Sequence, residues 1–210
     1  MSKVNDKYAD YNQRTIYKKM NEKRSLLLCL DALDMVIGHG EPNPCMRVQM
    51  SNLDITKESG QRASSCSFFI PAQRFLLLSQ NILFGVYSRQ KKTRSSNPGQ
   101  SAYFEQYGGG IKDNAVISRK LTLVDGMGSA SFAFVGTEGP GVNSKTGGFA
   151  PKPGEKPTFS CFINMQDDEL KEFCLIGKAY LDSYIQMDLA RRLPFIRNQR
   201  ESYARQHFVE

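Results

Sequence analysis

Hydrophobic residues in the first half of the chain recur at spacings that predict a helix, two strands and a second helix. Leu26, Leu30, Leu33 and Ile37 lie four, three and four residues apart, which places them on one face of a helix over 14–37. Gly38 follows directly and is typical of a helix end. The two strands are predicted over 45–56 and 62–70, and the second helix over 72–87, after Pro71.

Alternation of apolar and polar positions dominates the second half and predicts strands. Phe132 and Phe134, for example, alternate with small residues, as in a strand with one buried face. Asp167 and Asp168 favour a helix start, because the helix dipole attracts acidic groups there, and Pro194 is expected to break that helix. The predicted strands cover 102–112, 115–124, 129–135 and 158–165, and the predicted helix covers 167–193.

Two further segments have the composition of loops. Residues 88–100 carry basic residues, no acidic ones and little to bury. Residues 136–157 hold six Gly and four Pro, which predicts a long loop without regular structure. The predicted organisation is a flexible arm over 1–13, a first half over 14–88, a basic linker over 89–101, a second half over 102–193 and an arginine-rich tail over 194–210.

The order of predicted elements is α-β-β-α followed by β-β-β-β-α. This order indicates an α+β fold in which antiparallel sheets are followed by helices. In both halves the last strand runs directly into a helix, at Ile70–Pro71 and near Met165. We therefore expect two related strand-strand-helix modules packed around their helices.

Composition limits the class of protein. A chain of 210 residues that is 40% hydrophobic can form a large core, but no apolar run reaches the roughly 18 residues of a membrane span. The first ten residues lack the apolar stretch of a secretory signal, so we expect a cytoplasmic protein with no membrane partner. The five cysteines are odd in number and show no C-x-x-C spacing, which predicts free, buried thiols.

Motifs for catalysis are missing from the sequence. There is no G-x-S-x-G and no P-loop, and neither His39 nor His207 lies in a nucleophile or zinc motif. Asp31 and Asp34 would share a helix face, but two exposed aspartates on a helix are far commoner than a nuclease site. We expect no enzymatic activity, no cofactor and no metal.

Basic and aromatic residues together point to nucleic acid. The net charge is +7, and cations that meet phosphates beside rings that stack on bases are the usual means of binding single strands. Most Phe side chains are expected in the core, whereas a tyrosine hydroxyl tolerates water, so tyrosines are the better candidates for stacking. The basic run near 89–94 is also compatible with a solvated loop that binds nothing. The candidate nucleic-acid contacts are Arg119, Lys120, Tyr103, Tyr107, Lys112, Arg89, Lys91, Lys92 and Arg94.

The segment SRKLTLV, which leads through a turn into SASFAFV, resembles the whirly and transcriptional-coactivator-like single-stranded-DNA-binding fold. The resemblance covers about 102–190 and rests on element order. It implies two four-strand-plus-helix modules around their helices, with Arg119, Lys120 and Phe132 on the basic strand and its partner. The first half departs from this pattern, with a long helix and only two strands. If only one full module exists, a homodimer would supply the second.

The function expected from these observations is non-enzymatic, sequence-tolerant binding of single-stranded DNA or RNA through a basic, aromatic sheet face. The alternative is a protein–protein adaptor or a structural subunit of a larger assembly. In that case the long helices and the 136–157 segment would carry the contacts, and the charge would serve solubility.

Overall fold

Two antiparallel sheets, each followed by a helix, form the described part of the chain. The computed structural model describes residues 15–21, 25–33, 44–53, 62–94, 102–144 and 148–207. The first sheet is a meander of β1 (Thr15–Met20), β2 (Ser25–Ala32), β3 (Cys45–Leu53) and β4 (Arg62–Pro71). The second contains β5 (Phe104–Lys112), β6 (Ala115–Asp125), β7 (Phe132–Asn143), β8 (Phe149–Pro151) and β9 (Phe159–Met165). The helices are α1 (Ala72–Leu83), α2 (Val86–Arg94) and α3 (Asp167–His207).

The predicted α+β class with antiparallel sheets is confirmed by this architecture. Five strand predictions match strands of the structure closely where the structure describes them: those over 45–56, 62–70, 102–112, 115–124 and 158–165 correspond to β3, β4, β5, β6 and β9. The predicted arm over 1–13 and the linker residues 95–101 lie outside the described residues.

The helix predicted over 14–37 is wrong, because β1 and β2 occupy its described part. Every side chain from Ser25 to Leu30 is buried. Leu27 and Cys29 belong to the main core, whereas Leu26, Leu28 and Leu30 form a second cluster on the opposite face of the sheet. A strand that is buried on both faces is a continuous apolar run, and such a run also contains residues at helical spacing.

Both halves therefore share one order of elements. Strands β1 to β4 precede α1, and strands β5, β6, β7 and β9 precede α3, with the three-residue β8 added at the end of β7. One continuous core contains side chains of both sheets and of the helices α1 and α3. The helices meet at Phe75 and Phe173, whose ring centroids are 5.4 Å apart.

The long irregular loop predicted over 136–157 is corrected by the course of β7. Strand β7 continues to Asn143, and Gly136 pairs with Leu121 of β6 on one side and with Cys161 of β9 on the other. A Cβ atom at Gly136 would lie 2.7 Å from the Met50 sulfur of the first sheet. The glycine thus lets the two sheets approach closely within a regular strand, rather than ending the strand.

The helices also differ from their predicted bounds. The basic residues after Tyr87 lie on a short helix, α2, instead of a loop, and Tyr87 itself is buried. Helix α3 continues through Pro194, where a break was expected, as far as His207. Pro194 is exposed, so water can hydrogen-bond the carbonyl that the proline ring leaves without a donor.

The five cysteines are buried and form no disulfide bond, which confirms the prediction of buried thiols. Burial, and to a lesser extent the charge of Glu138, raises the pKa of the Cys66 thiol to about 12. The described residues contain no group of three or more His, Cys, Asp or Glu side chains placed to hold a metal ion. Among the described helices, none has both the length and the apolar character of a membrane-spanning helix.

Candidate nucleic-acid interface

The face of the second sheet that points away from the core carries a row of polar and aromatic side chains. Leu121 and Leu123 of β6 are fully buried, so strand alternation turns Lys120 to the other face, which we name the outer face. In register, the outer face carries one row of Tyr107, Lys120, Thr137 and Ser160, and a second row of Glu105, Thr122, Val135 and Phe162.

Lys120 and Tyr107 form a cation–aromatic cluster on this face. The Lys120 Nζ lies 5.1 Å from the centroid of the Tyr107 ring, and that tyrosine is 45% exposed. Glu105 joins both, because its Oε1 is 2.7 Å from Lys120 Nζ and its Oε2 accepts the Tyr107 hydroxyl at 2.9 Å. A ring and a cation that are both partly open to solvent can contact a base and a phosphate together.

The carboxylate of Glu105 sets the charge of this cluster. The hydrogen bond from Lys120 is the main reason that the pKa of Glu105 is lowered. Partial burial would lower the pKa of Lys120, but its hydrogen bonds with Glu105 and Tyr107 outweigh burial, and the pKa is raised. Both groups are therefore ionised at neutral pH, and Lys120 must exchange a carboxylate for a phosphate in order to bind a strand.

Arg119 does not lie beside Lys120 on the outer face, in contrast to the prediction that both contact one strand. Its Nε is 2.5 Å from Glu138 Oε2, and the Cys66 sulfur of the first sheet is 3.6 Å from the same oxygen. Neighbouring residues of a strand point to opposite faces, so Arg119 faces the first sheet and links the two sheets.

Tyr103 is likewise corrected, because it belongs to the core. It is only 8% exposed, and its hydroxyl donates to Asp125 Oδ1 at 2.7 Å. Its ring packs 5.5 Å from that of Tyr87 and 5.4 Å from that of Phe132. A base cannot stack on this ring in the folded protein.

The basic residues of α2 serve mainly to hold that helix. Lys91 donates to the carbonyl of Ser131 and lies 5.4 Å from the Phe132 ring centroid, while Arg89 donates to the Phe84 carbonyl at 3.0 Å. Lys92 is exposed, and the side chain of Arg94 lies outside the described residues. The structure therefore brings none of the three cations whose side chains it describes, Arg89, Lys91 and Lys92, to Lys120.

Lys112 is exposed at the far end of β5. It lies five residues from Tyr107, about 17 Å along a strand, and its odd offset turns it to the opposite face. Among the predicted contacts whose side chains the structure describes, only Lys120 and Tyr107 are brought together.

Glu105, Thr137 and Phe162 are members of the outer face that sequence reasoning missed. The position of Glu105 follows from the hairpin turn between β5 and β6. Asp113 and Asn114 have φ angles of 50° and 61°, which are those of a two-residue hairpin turn. Such a turn fixes the register of β5 and β6, and with it the pairing of Tyr107 with Lys120.

The comparison with known proteins adds no relative. No protein-family model matches the chain, and no curated protein is significantly similar to it in sequence. The fold and the candidate site thus define the class by themselves. It is an α+β protein of two antiparallel sheets around a pair of helices, with an open cation–aromatic cluster on the second sheet.

Proposed function

We propose that this protein binds single-stranded nucleic acid, DNA in the first instance, without sequence preference and without catalysis. The observation that carries the proposal is the contact of Lys120 with the exposed ring of Tyr107 on the outer face. A phosphate would replace Glu105 at Lys120, and a base would stack on Tyr107. Because every base has a π-face, such a contact tolerates any sequence.

The order of elements supports the same proposal. Two successive units of four antiparallel strands and a helix are the order of the whirly and transcriptional-coactivator-like fold that the second half resembles. The first half supplies a full set of four strands, so one chain provides both units. A fold hosts many functions, however, and the proposal therefore depends on the cluster at Lys120.

The test is a titration of a labelled oligo-dT of about 30 nucleotides, followed by fluorescence anisotropy at two salt concentrations, with a duplex of equal length alongside. We expect salt-sensitive binding that favours the single strand. Lys120→Ala should weaken binding about fivefold and reduce the log–log salt slope by about one. Lys178→Ala is the matched control, because Lys178 also pairs with a carboxylate, Asp182, but lies on α3.

A second readout tests stacking. The chain contains no tryptophan, so Tyr107→Trp introduces a single tryptophan at the proposed contact, and its emission lies at longer wavelength than that of the tyrosines. We expect the strand to quench its emission. Equal effects of Lys120→Ala and Lys178→Ala, or no binding at low salt, would contradict the proposal.

A second candidate function, a structural or adaptor role through self-association, is favoured by the second half of α3. From Ile185 to Gln199, no side chain that the structure describes is buried. Ile185, Leu189 and Leu193 are 41%, 51% and 53% exposed and recur every four residues, which places them on one stripe. We propose a second copy of the chain as the partner, with its own stripe packed against this one.

Sedimentation over a range of concentrations tests this candidate. Leu189→Glu places a charge on the stripe and should shift a dimer to the monomer. Met187→Glu is the control, since Met187 is 74% exposed and lies on the opposite side of the same helix. A protein that stays monomeric throughout, or equal effects of the two variants, would exclude the stripe as a dimer contact.

A further inference from the structure

A cleft opens where the edge strand of the second sheet, β9, meets the first sheet. Two asparagines bind the backbone of β9: Asn21, directly after β1, donates from Nδ2 to the Phe162 carbonyl at 3.2 Å, and Asn52 of β3 donates from Nδ2 to the Ser160 carbonyl at 3.0 Å. Beside Asn21, the cleft has a volume of about 830 Å³. Its size and its position between two elements are those of a small-molecule site.

The walls of the cleft combine apolar and amide side chains. Met20 and Met127 are apolar but 56% and 60% exposed. Phe162 of β9 is half-buried and also lines the cleft. Methionine side chains adapt their shape and are polarisable, so a pair of them with a ring suits a flat aromatic guest.

The amides supply hydrogen bonds to the edge of such a guest. Asn164 Oδ1 accepts the Met127 backbone N–H at 3.0 Å, which orients the amide and leaves its Nδ2 donors without a partner among the described residues. Gln166, also on the cleft wall, has an exposed side chain. Oriented amide donors need an acceptor in the ligand, and every nucleobase has one on its edge.

The charged groups of the cleft do not favour a phosphate inside it. Lys19 and Glu169 line the same cavity, and they are paired with each other. Partial burial would raise the pKa of Glu169, but hydrogen bonds from Lys19 and from the Gln166 backbone outweigh it, so the pKa is lowered. Because Lys19 and Glu169 form an ion pair, the described lining of the cleft offers no unpaired charge to a phosphate and suits an uncharged planar group.

The cleft also continues the outer face. Phe162 shares its row with Glu105, and three strand spacings, about 14 Å, separate β5 from β9. A strand that contacts Lys120 and Tyr107 would thus reach the cleft within a few nucleotides.

We propose that this cleft holds one nucleobase, unstacked from the strand, between Met20, Met127 and Phe162, with Asn164 donating to the base edge. This inference rests on the proposed function, because the base is delivered by the strand on the outer face. A free nucleoside offers the same chemistry, so the experiment must separate the two sources.

The first experiment uses Phe162→Trp in the chain that otherwise lacks tryptophan. We expect oligo-dT to quench its emission, and an abasic sugar–phosphate strand of equal length to bind without quenching. Thymidine is titrated in a parallel arm. Quenching by thymidine only at far higher concentration identifies the strand as the source, and quenching at similar concentration identifies a free nucleoside site. No quenching by either ligand would overturn the proposal.

The second experiment compares paired variants by anisotropy. Met127→Ala should weaken oligo-dT binding about fivefold and leave abasic-strand binding unchanged, since one base contact is lost. Met187→Ala, which removes an even more exposed methionine on α3, should change neither. Asn164→Asp keeps an oxygen that accepts the Met127 N–H but removes the Nδ2 donors for the base edge. Asn143→Asp adds the same negative charge at the end of β7 and is the control for the effect of charge alone.

The two proposals fail in different ways. If the unmodified protein does not bind oligo-dT, the proposed function is wrong. If it binds and Lys120→Ala weakens binding, but the cleft variants match their controls, the strand binds on the outer face and only the base cleft is wrong.

Discussion

Gly177→Ala is expected to lower the free energy of unfolding by about 2 kcal/mol, a typical cost of overpacking. A Cβ atom at Gly177 would lie 2.4 Å from Phe75 Cζ, where α3 crosses α1. At an open helix position the same change would stabilise by about 1 kcal/mol through helix propensity, so even the sign of the effect tests the packing. Urea unfolding of the full chain, with the midpoint and slope fitted together, gives the measurement.

The controls for this prediction separate packing from backbone effects. Gly110→Ala adds the same methyl group where no atom lies within 4 Å, so little change is expected. Combining Gly177→Ala with Phe75→Leu should cost less than the sum of the two single changes, since the smaller side chain makes room. A Gly177→Ala protein more stable than the unmodified one would show that the helices do not pack this closely.

Glu105→Gln is expected to tighten the binding of oligo-dT about tenfold. The carboxylate repels an incoming phosphate and also occupies Lys120, with 2.7 Å between Glu105 Oε1 and Lys120 Nζ. Removing one like charge close to a phosphate at a protein surface contributes about 1 kcal/mol or more. Asp182→Asn, which removes the carboxylate paired with Lys178 on α3, is the matched control and should have little effect.

The same carboxylate predicts how binding depends on pH. Lys120 lowers the pKa of Glu105, so Glu105 stays ionised until the pH falls below its ordinary range. As the pH falls through this lowered pKa, Glu105 takes up a proton, Lys120 is released and strand affinity should rise. The contribution of the pair to stability has the opposite trend, being present above the unfolded-state pKa and lost as the pH falls through the folded-state value. In Glu105→Gln the rise in affinity should vanish; if it persists, another group is responsible.

Local patterns predicted β6, whose two faces differ, but missed β2 and α2, neither of which has one apolar and one polar face. Strand β6 has Leu121 and Leu123 on one face and Lys120 on the other, and alternation identified it. Strand β2 is buried on both faces, so its leucines also fit a helix. Helix α2 has no apolar face, and its place depends on contacts such as that of Lys91 with Ser131, which no local pattern contains.

The sequence predicted the kinds of residue at the candidate site better than it predicted which of them lie together. Residue types correctly suggested that cations and rings come together, and Lys120 with Tyr107 does so. Arg119 and Tyr103 were misplaced because strand orientation and burial depend on which sheet covers which face. The cleft at Met127 and Asn164 combines residues from both sheets, and only the tertiary fold brings them together.

The unequal outer faces of the two sheets have a consequence for stoichiometry. Leu26, Leu28 and Leu30 point away from the main core but are at most 8% exposed, so the β2 part of the first sheet's outer face is closed. On the same face, Arg47 of β3 lies 5.9 Å from the centroid of the half-buried Phe69 ring of β4. A second strand contact at Arg47 and Phe69 would make the chain bivalent, whereas a chain that binds a strand only around Tyr107 is monovalent. For a monovalent chain, bridging two strands, or two distant stretches of one, would require two copies of the chain.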